Sequence, residues 1–171
     1  IAIGEGALFT QNFTSETNNY NVAIGYNAGY AVTTGLANTF VGGLAGDATT
    51  TGSNNASVGY NSLTGNTTGS ENTGIGNGAL RSNTTASNNT AVGSAALDLN
   101  TTGAGNTAVG QGALLDNTTG SNNVALGKQA LEEVTTGSQN IGIGNSTGTY
   151  SVNLTTGSGN IIIGHASDTS A

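Results

Sequence analysis

One stretch of this chain decides its fold: Asn106-Thr107-Ala108-Val109-Gly110-Gln111-Gly112-Ala113-Leu114-Leu115-Asp116-Asn117-Thr118-Thr119-Gly120-Ser121-Asn122. Close copies of it follow one another at intervals of seventeen residues, and we number each copy from its repeat glycine, position 0. That glycine recurs at Gly25, Gly42, Gly59, Gly76, Gly93, Gly110, Gly127 and Gly144, with longer steps in from Gly4 and out to Gly164. A fixed short period is typical of a solenoid, in which each repeat is one coil that buries its apolar side against its neighbours.

An aliphatic residue precedes the repeat glycine in every copy. These residues at position −1 are Ile3, Ile24, Val41, Val58, Ile75, Val92, Val109, Leu126, Ile143 and Ile163. Neighbouring side chains of an extended segment face opposite ways, so we expect position −1 to point into the core and the small residue at −2 to point outward. The recurrence also outweighs the low content of large aliphatic residues, which would otherwise indicate disorder.

The remainder of each coil predicts bends and a second short strand. Gly(0) and Gly(+10) are expected bends, since glycine adopts positive φ at little cost. The segment from +3 to about +9 is expected to form the second strand and to stack Leu8, Leu63, Leu80, Leu97, Leu114 and Leu131 in one column. Gly29, Gly46 and Gly148 interrupt that column, which predicts a thinner core there. The density of glycine and asparagine, with no 3.6-residue apolar period, argues against helices.

A column of asparagines at position −4 is the candidate structural ladder. It comprises Asn21, Asn38, Asn55, Asn72, Asn89, Asn106, Asn123, Asn140 and Asn160. Stacked asparagine amides support parallel strands by bonding to one another. The alternative is that they satisfy the backbone of turns, and both roles are compatible.

Composition excludes several classes of partner and site. The 171 residues carry only two basic residues against nine acidic ones, so a phosphate-binding surface and a nucleic-acid partner are not expected. No apolar run is long enough to span a membrane, and the absence of cysteine excludes disulfides. The sequence predicts a single all-β domain over 1–171, a parallel β-solenoid (β-roll) of about ten coils, read as a segment of a longer protein or a fibre subunit.

The run Asn-x-Ala-Ile/Val-Gly resembles the head repeats of trimeric autotransporter adhesins of the YadA type. It stands here as Asn21-Val22-Ala23-Ile24-Gly25 and Asn106-Thr107-Ala108-Val109-Gly110. The resemblance covers nearly the whole chain and extends to repeats of phage tail fibres and bacterial surface proteins. It implies left-handed parallel β-rolls that associate as trimers and bind host matrix or cells. The usual head repeat is about fourteen residues, three fewer than the period here.

Residues that could carry chemistry are few. His165 is the only histidine, so neither a catalytic triad nor a histidine-based metal site is expected. Arg81 and Asp98 occupy +5 in successive coils and predict a stacked ion pair. Asp116 and Glu133 extend an acidic strip that could attract Ca²⁺, although the Gly-rich calcium-roll motif is missing. We predict no enzyme, no cofactor and no specific metal site.

Paired threonines at +8 and +9 supply the alternative function, a solenoid that binds ice or glycans through its threonine and asparagine columns. The pairs are Thr33-Thr34, Thr50-Thr51, Thr67-Thr68, Thr84-Thr85, Thr101-Thr102, Thr118-Thr119, Thr135-Thr136 and Thr155-Thr156. Ice-binding solenoids present flat threonine arrays, but adjacent threonines of a flat strand face opposite sides.

The two ends of the repeat array predict self-association. Ile1 and Ile3 belong to a complete strand motif, and Ile161, Ile162 and Ile163 form the most apolar strand of the chain. Open apolar strands are aggregation hazards, so we expect these five residues to be covered by another copy or by further repeats.

Loops are expected within Phe9–Tyr20 and Ser146–Leu154, where the spacing lengthens. The sequence thus predicts an extracellular fibre subunit or adhesive head that self-associates head to tail or as a trimer, with a host surface or glycan as the further partner.

Overall fold

A computed structural model describes residues 1–11, 18–148 and 154–165. The loops expected within Phe9–Tyr20 and Ser146–Leu154 fall partly outside these ranges, so that expectation stays a prediction. The described chain contains ten short strands and no helix. The strands are β1 (Ala2–Ile3), β2 (Val22–Ile24), β3 (Thr39–Val41), β4 (Ala56–Val58), β5 (Thr73–Ile75), β6 (Thr90–Val92), β7 (Thr107–Val109), β8 (Val124–Leu126), β9 (Ile141–Ile143) and β10 (Ile161–Ile163). Accordingly, this part of the chain has no helix of the length and apolar character needed to cross a bilayer.

The ten strands form one parallel sheet in sequence order. Each pairs with the strand one repeat later, so that Ala91 lies opposite Ala108 and Val92 opposite Val109. The register carries each repeat position onto itself along the stack. The chain is therefore an all-β solenoid with a seventeen-residue coil, which confirms the fold predicted from the repeat.

The strand side chains at −1 and −2 point in the directions opposite to those predicted. Position −2 points into the core: Ala23, Phe40, Ala91, Ala108 and Ala125 are fully buried. Position −1 points outward, and Val109, for example, is 38% exposed. The physical reason is the thinness of the coil. A Cβ added to Gly142 at −2 would lie 2.5 Å from Cγ of Leu131, so a column of stacked leucines already fills the space that a large −2 side chain would need.

Those leucines at +4 are buried as predicted, but in turns rather than in a second strand. Leu63, Leu80, Leu97, Leu114 and Leu131 are fully buried, and all have positive φ between 52° and 55°. Leu80 donates its N–H to the carbonyl of Ala96 in the next coil at 3.0 Å, and Leu97 donates likewise to Ala113. The turn segment is thus hydrogen-bonded from coil to coil without regular strand geometry, and each coil holds a single strand.

The core is not thinner where glycine replaces leucine at +4. Phe40, at −2, fills the space beside Gly29 and Gly46: a Cβ on Gly29 would lie 2.7 Å from Cδ2 of Phe40, and a Cβ on Gly46 would collide with the same ring. Ile162 plays this part beside Gly148, at 3.4 Å from its Cβ position. A large residue at −2 therefore compensates for the missing leucine at +4.

The repeat glycines allow the coils to approach closely. Gly(0) has φ between +124° and +147° in every copy, and a Cβ on Gly25 would lie 2.5 Å from the carbonyl oxygen of Gly42. Gly(+10), by contrast, is not in a positive-φ conformation. Close approach of the next coil favours glycine here: a Cβ on Gly120 would collide with the carbonyl of Gly137, although Ala86 occupies this position in one coil.

Candidate assembly and binding surfaces

The outer face of the sheet carries an exposed apolar stripe along the whole stack. We call the ten residues at position −1 the aliphatic column. In the inner coils Ile24, Val58, Ile75, Leu126 and Ile143 are 37–42% exposed, although each has stacked neighbours on both sides. Position −3 flanks the column with Thr, Val, Ala or Ile. Val41 and Val92 in the same column are half-buried. A long apolar stripe of this kind is unusual on a protein surface and is typical of interaction sites.

The predicted assembly residues belong to this same face, with one exception. Ile1 and Ile161 lie at −3, Ile3 and Ile163 lie at −1, and all four are exposed at 58% or more. Ile162 instead faces the core and packs against the buried cluster that contains Leu131 and Leu154. The isoleucines of β10 therefore do not form one apolar surface. Four of the five predicted assembly residues extend the outer face.

The −4 asparagines from Asn21 to Asn140 are buried, Asn160 is half-buried, and the column binds the backbone of its own and neighbouring coils. Asn89 Oδ1 accepts the N–H of Asn106 at 2.9 Å, and Asn106 Oδ1 accepts that of Asn123 at 2.9 Å. The Asn106 amide donates to the carbonyl of Gly120 at 2.9 Å. Direct amide-to-amide bonds also occur, as from Asn55 to Asn38 at 3.1 Å. Both roles weighed from the sequence are present, and the column is unavailable to an external ligand.

A second asparagine ladder lies at position +7. It was not among the predicted site residues. The amide of Asn83 donates to Asn66 Oδ1, that of Asn100 to Asn83, and that of Asn117 to Asn100, at 2.9–3.0 Å. All four residues are fully buried. Val134 takes this position in the next coil, and Asn117 Oδ1 has no partner in the described structure. The signal was the run of four successive Asn residues at +7, which is shorter than the nine-residue column at −4.

The two threonine columns differ in what they offer a ligand. The +8 hydroxyls donate to the backbone of the next coil, as from Thr84 to the carbonyl of Thr101 at 3.0 Å. The +9 threonines, from Thr34 to Thr156, are exposed, as predicted. Among the described paired threonines, the +8 hydroxyls from Thr33 to Thr135 are engaged, so of these two columns the +9 column is the one that presents free hydroxyls.

Position +5 pairs side chains between successive coils. Arg81 and Asp98 form the predicted ion pair, with Nε 2.8 Å from Oδ1 and Nη2 donating to Oδ2 at 2.8 Å. Thr64 donates a hydrogen bond to Asp47 in the same column. In the ion pair Arg81 is about half exposed and Asp98 is nearly buried. Both contacts occur in particular coils and so distinguish one coil from another.

The acidic strip and the histidine do not come together. His165 is exposed. Burial, and then the charge of Glu133, raises the pKa of the Asp116 carboxyl. Within 1–11, 18–148 and 154–165, no three His, Cys, Asp or Glu side chains are grouped so as to hold a metal ion.

Comparisons with known proteins leave the chain without an assigned family. No family model, no curated protein and no solved structure matches it. The resemblance to adhesin heads therefore stays a prediction from the repeat residues.

Proposed function

We propose that this chain is a structural rod of an extracellular fibre or adhesive head, in which copies associate side by side through the outer face of the sheet. The observation that carries the proposal is the aliphatic column, which runs from Ile3 to Ile163 without a polar interruption. A structural role for these residues would bury them inside the coil, yet inner members such as Ile75 stay 42% exposed.

A second copy of the chain is the occupant that fits this stripe. Its coils repeat at the strand spacing of about 4.8 Å, so a parallel copy would match every rung at once. Covering the exposed part of one aliphatic side chain contributes about 0.5–1 kcal/mol, and eight inner coils therefore contribute about 4–8 kcal/mol per copy. That sum is comparable with the cost of association, about 4–15 kcal/mol, so the whole length of the stripe is needed.

The resemblance to adhesin heads implies three copies, with the three stripes facing a common axis. A rod of this kind acts through its length, its stiffness and the polar coil surfaces that remain outside the contact. The extracellular setting rests on the same resemblance and on the low charge of a surface built from Asn, Thr, Ser and Gly. Contact through the open coil edges, head to tail, is the competing arrangement.

Sedimentation equilibrium of the wild-type chain and of a Val92→Lys/Val109→Lys variant tests the proposal. Both residues lie in the aliphatic column of adjacent coils, and charges placed there have no partner once the face is covered. We expect the wild type to sediment as an oligomer and the variant as a monomer, with the β circular dichroism spectrum unchanged.

The matched control is Thr102→Lys/Thr119→Lys. These threonines are exposed at +9 in the same two coils, and this variant should remain oligomeric. A wild-type chain that sediments as a monomer at every concentration contradicts the proposal. Equal dissociation of both variants would mean that added charge, rather than the stripe, controls association.

A further inference from the structure

The exposed aromatic side chains of the described chain all lie in its first four coils. They are Phe9, Tyr20, Tyr26, Tyr30 and Tyr60, which are between 38% and 72% exposed. The one other described aromatic residue, Phe40, is fully buried in the core. From the fifth coil onward, equivalent surface positions of described coils hold Asn77, Ser94, Gln111 and Lys128 at +1. Among the described residues this clustering distinguishes the first four coils from the later ones, and the coil fold does not require it.

Two of these rings are held against the surface by glycines of the preceding coil. A Cβ on Gly43 would lie 3.4 Å from Cδ2 and 3.8 Å from Cε2 of Tyr60, so the ring lies over the glycine backbone. A Cβ on Gly6 would lie 3.3 Å from Cδ2 of Tyr30. The Tyr30 ring also stacks on that of Phe9, with centroids 5.1 Å apart and planes 3° from parallel. Rings fixed in this way lose little freedom when they bind a ligand.

In each of two coils an asparagine directly follows an exposed tyrosine, and Asn27 Oδ1 lies over Gly6 of the preceding coil, where a Cβ would collide with it. Tyr26-Asn27 and Tyr60-Asn61 occupy +1 and +2 in coils two repeats apart. Asn27 and Asn61 adopt positive φ, at 52° and 56°, and are partly exposed. Within the described structure their side-chain amides and the two tyrosine hydroxyls form no hydrogen bond. Each pair thus combines a flat apolar face with unused donors and acceptors.

We propose that the two Tyr-Asn pairs, with Gly43 between them, form a binding site for a neutral glycan chain that runs along the rod axis. The apolar C–H face of a pyranose stacks on a tyrosine ring, and its hydroxyls bond to the neighbouring amide. Two coils separate the pairs, about 9.6 Å at the strand spacing, which exceeds the length of one pyranose unit, so two sugars of one chain with a third between them can meet the two pairs. The proposal is independent of side-by-side association.

Charge selects a neutral ligand over an anionic one. The first four coils contain acidic residues, among them Glu5 and Asp47, but no Lys or Arg. The whole chain carries a net charge of −7. A carboxylated or sulfated glycan would meet repulsion without a compensating cation.

Isothermal titration with neutral hexasaccharides (cellohexaose, chitohexaose and xylohexaose) and with a heparin hexasaccharide tests this site. We expect at least one neutral sugar to bind at up to millimolar concentration and the heparin fragment not to bind. Tyr60→Ala should weaken that binding about tenfold or more, because a stacking face is lost. Tyr26→Ala should act in the same direction, whereas Gln111→Ala, at +1 in a later coil, should leave the affinity unchanged.

Three results would overturn the proposal: no binding by any neutral hexasaccharide, binding of the heparin fragment alone, or equal binding by Tyr60→Ala and the wild type. Sedimentation of the tyrosine variants separates this site from the assembly surface. If Tyr26→Ala or Tyr60→Ala dissociates an oligomer, these rings belong to the contact between copies and the glycan site is rejected. If the side-by-side association fails, the sugar titration still tests the glycan site, because binding can be measured on a monomer as well as on an oligomer.

Discussion

At the scale of single residues, the coil depends on glycines that serve for different reasons. Gly(0) combines a φ that other residues rarely adopt with contact against the next coil's backbone. Glycine at +2 needs only a left-handed conformation, which Asn61 and Ala95 also adopt at that position. Glycine is common in the sequence at both positions, 0 and +2, and the structure shows that the glycine at +2 is the replaceable one.

Gly76→Ala and Gly78→Ala separate these two requirements. Gly76 has φ +138° and its Cβ would collide with the carbonyl of Gly93, so we expect a loss of about 3 kcal/mol or more in unfolding free energy. Gly78 has φ +66° with open space around its Cβ position, and we expect a change within about 1 kcal/mol. Urea denaturation measures both. Equal losses would contradict the close approach at position 0.

Asp116 provides a test by pH. Because burial and Glu133 raise its pKa in the folded chain above 3.8, the folded state holds this proton more tightly than the unfolded state does. The stability that protonated Asp116 contributes is complete below pH 3.8 and is lost as the pH rises through the folded pKa. Asp116→Asn should therefore raise the melting temperature slightly at pH 7 relative to the wild type, and the difference should shrink toward pH 3. A melting temperature at pH 7 that is unchanged or lower would contradict this account.

At the scale of the coil, packing depends on complementary volumes at −2 and +4. Most coils combine a small residue at −2 with leucine at +4, and Phe40 reverses the combination beside Gly29 and Gly46. The two positions lie in different parts of the coil but fill one space. A change at one is therefore expected to be corrected by the opposite change at the other.

Phe40→Ala and Gly46→Leu test this complementarity as a double-mutant cycle. Phe40→Ala should cost about 3–5 kcal/mol by leaving a cavity, and Gly46→Leu should destabilise by collision with the ring. The double variant restores the combination of Ala at −2 and Leu at +4 found in the coils of Leu97 and Leu114, so it should be more stable than either single variant. Additive losses in chemical denaturation would show that the two positions do not share a space.

The same two positions explain what sequence reasoning could and could not reach. The seventeen-residue period sufficed for the solenoid, the parallel register and the leucine column. The predicted direction of the strand side chains was wrong, because the larger aliphatic residue at −1 was expected in the interior. The leucines at +4 leave room there only for small residues at −2. The sequence feature that indicates the true direction is the large Phe40 at −2 in the region where Gly29 and Gly46 replace leucine at +4. The aliphatic column was not predicted as an interface for the same reason, because its residues were expected in the core.

At the scale of the whole molecule, strict repetition makes the rod a continuous surface. Every coil adds the same aliphatic residue to the outer face, so contacts too weak for one coil become sufficient over the stack. The aromatic end and the +5 pairs then supply differences between coils. Assembly and recognition would occupy separate surfaces of one rod.

Spin labels give the most direct test of the central claim that the outer face of the sheet joins the copies. The chain has no cysteine, so single Val109→Cys and Thr119→Cys variants place one label in the aliphatic column or in the exposed +9 column of the same coil. We measure distances between copies by pulsed electron resonance at concentrations where the wild type is oligomeric. The account predicts distinctly shorter distances from position 109 than from position 119. Shorter distances from position 119, or no dipolar coupling between copies at either site, would contradict it.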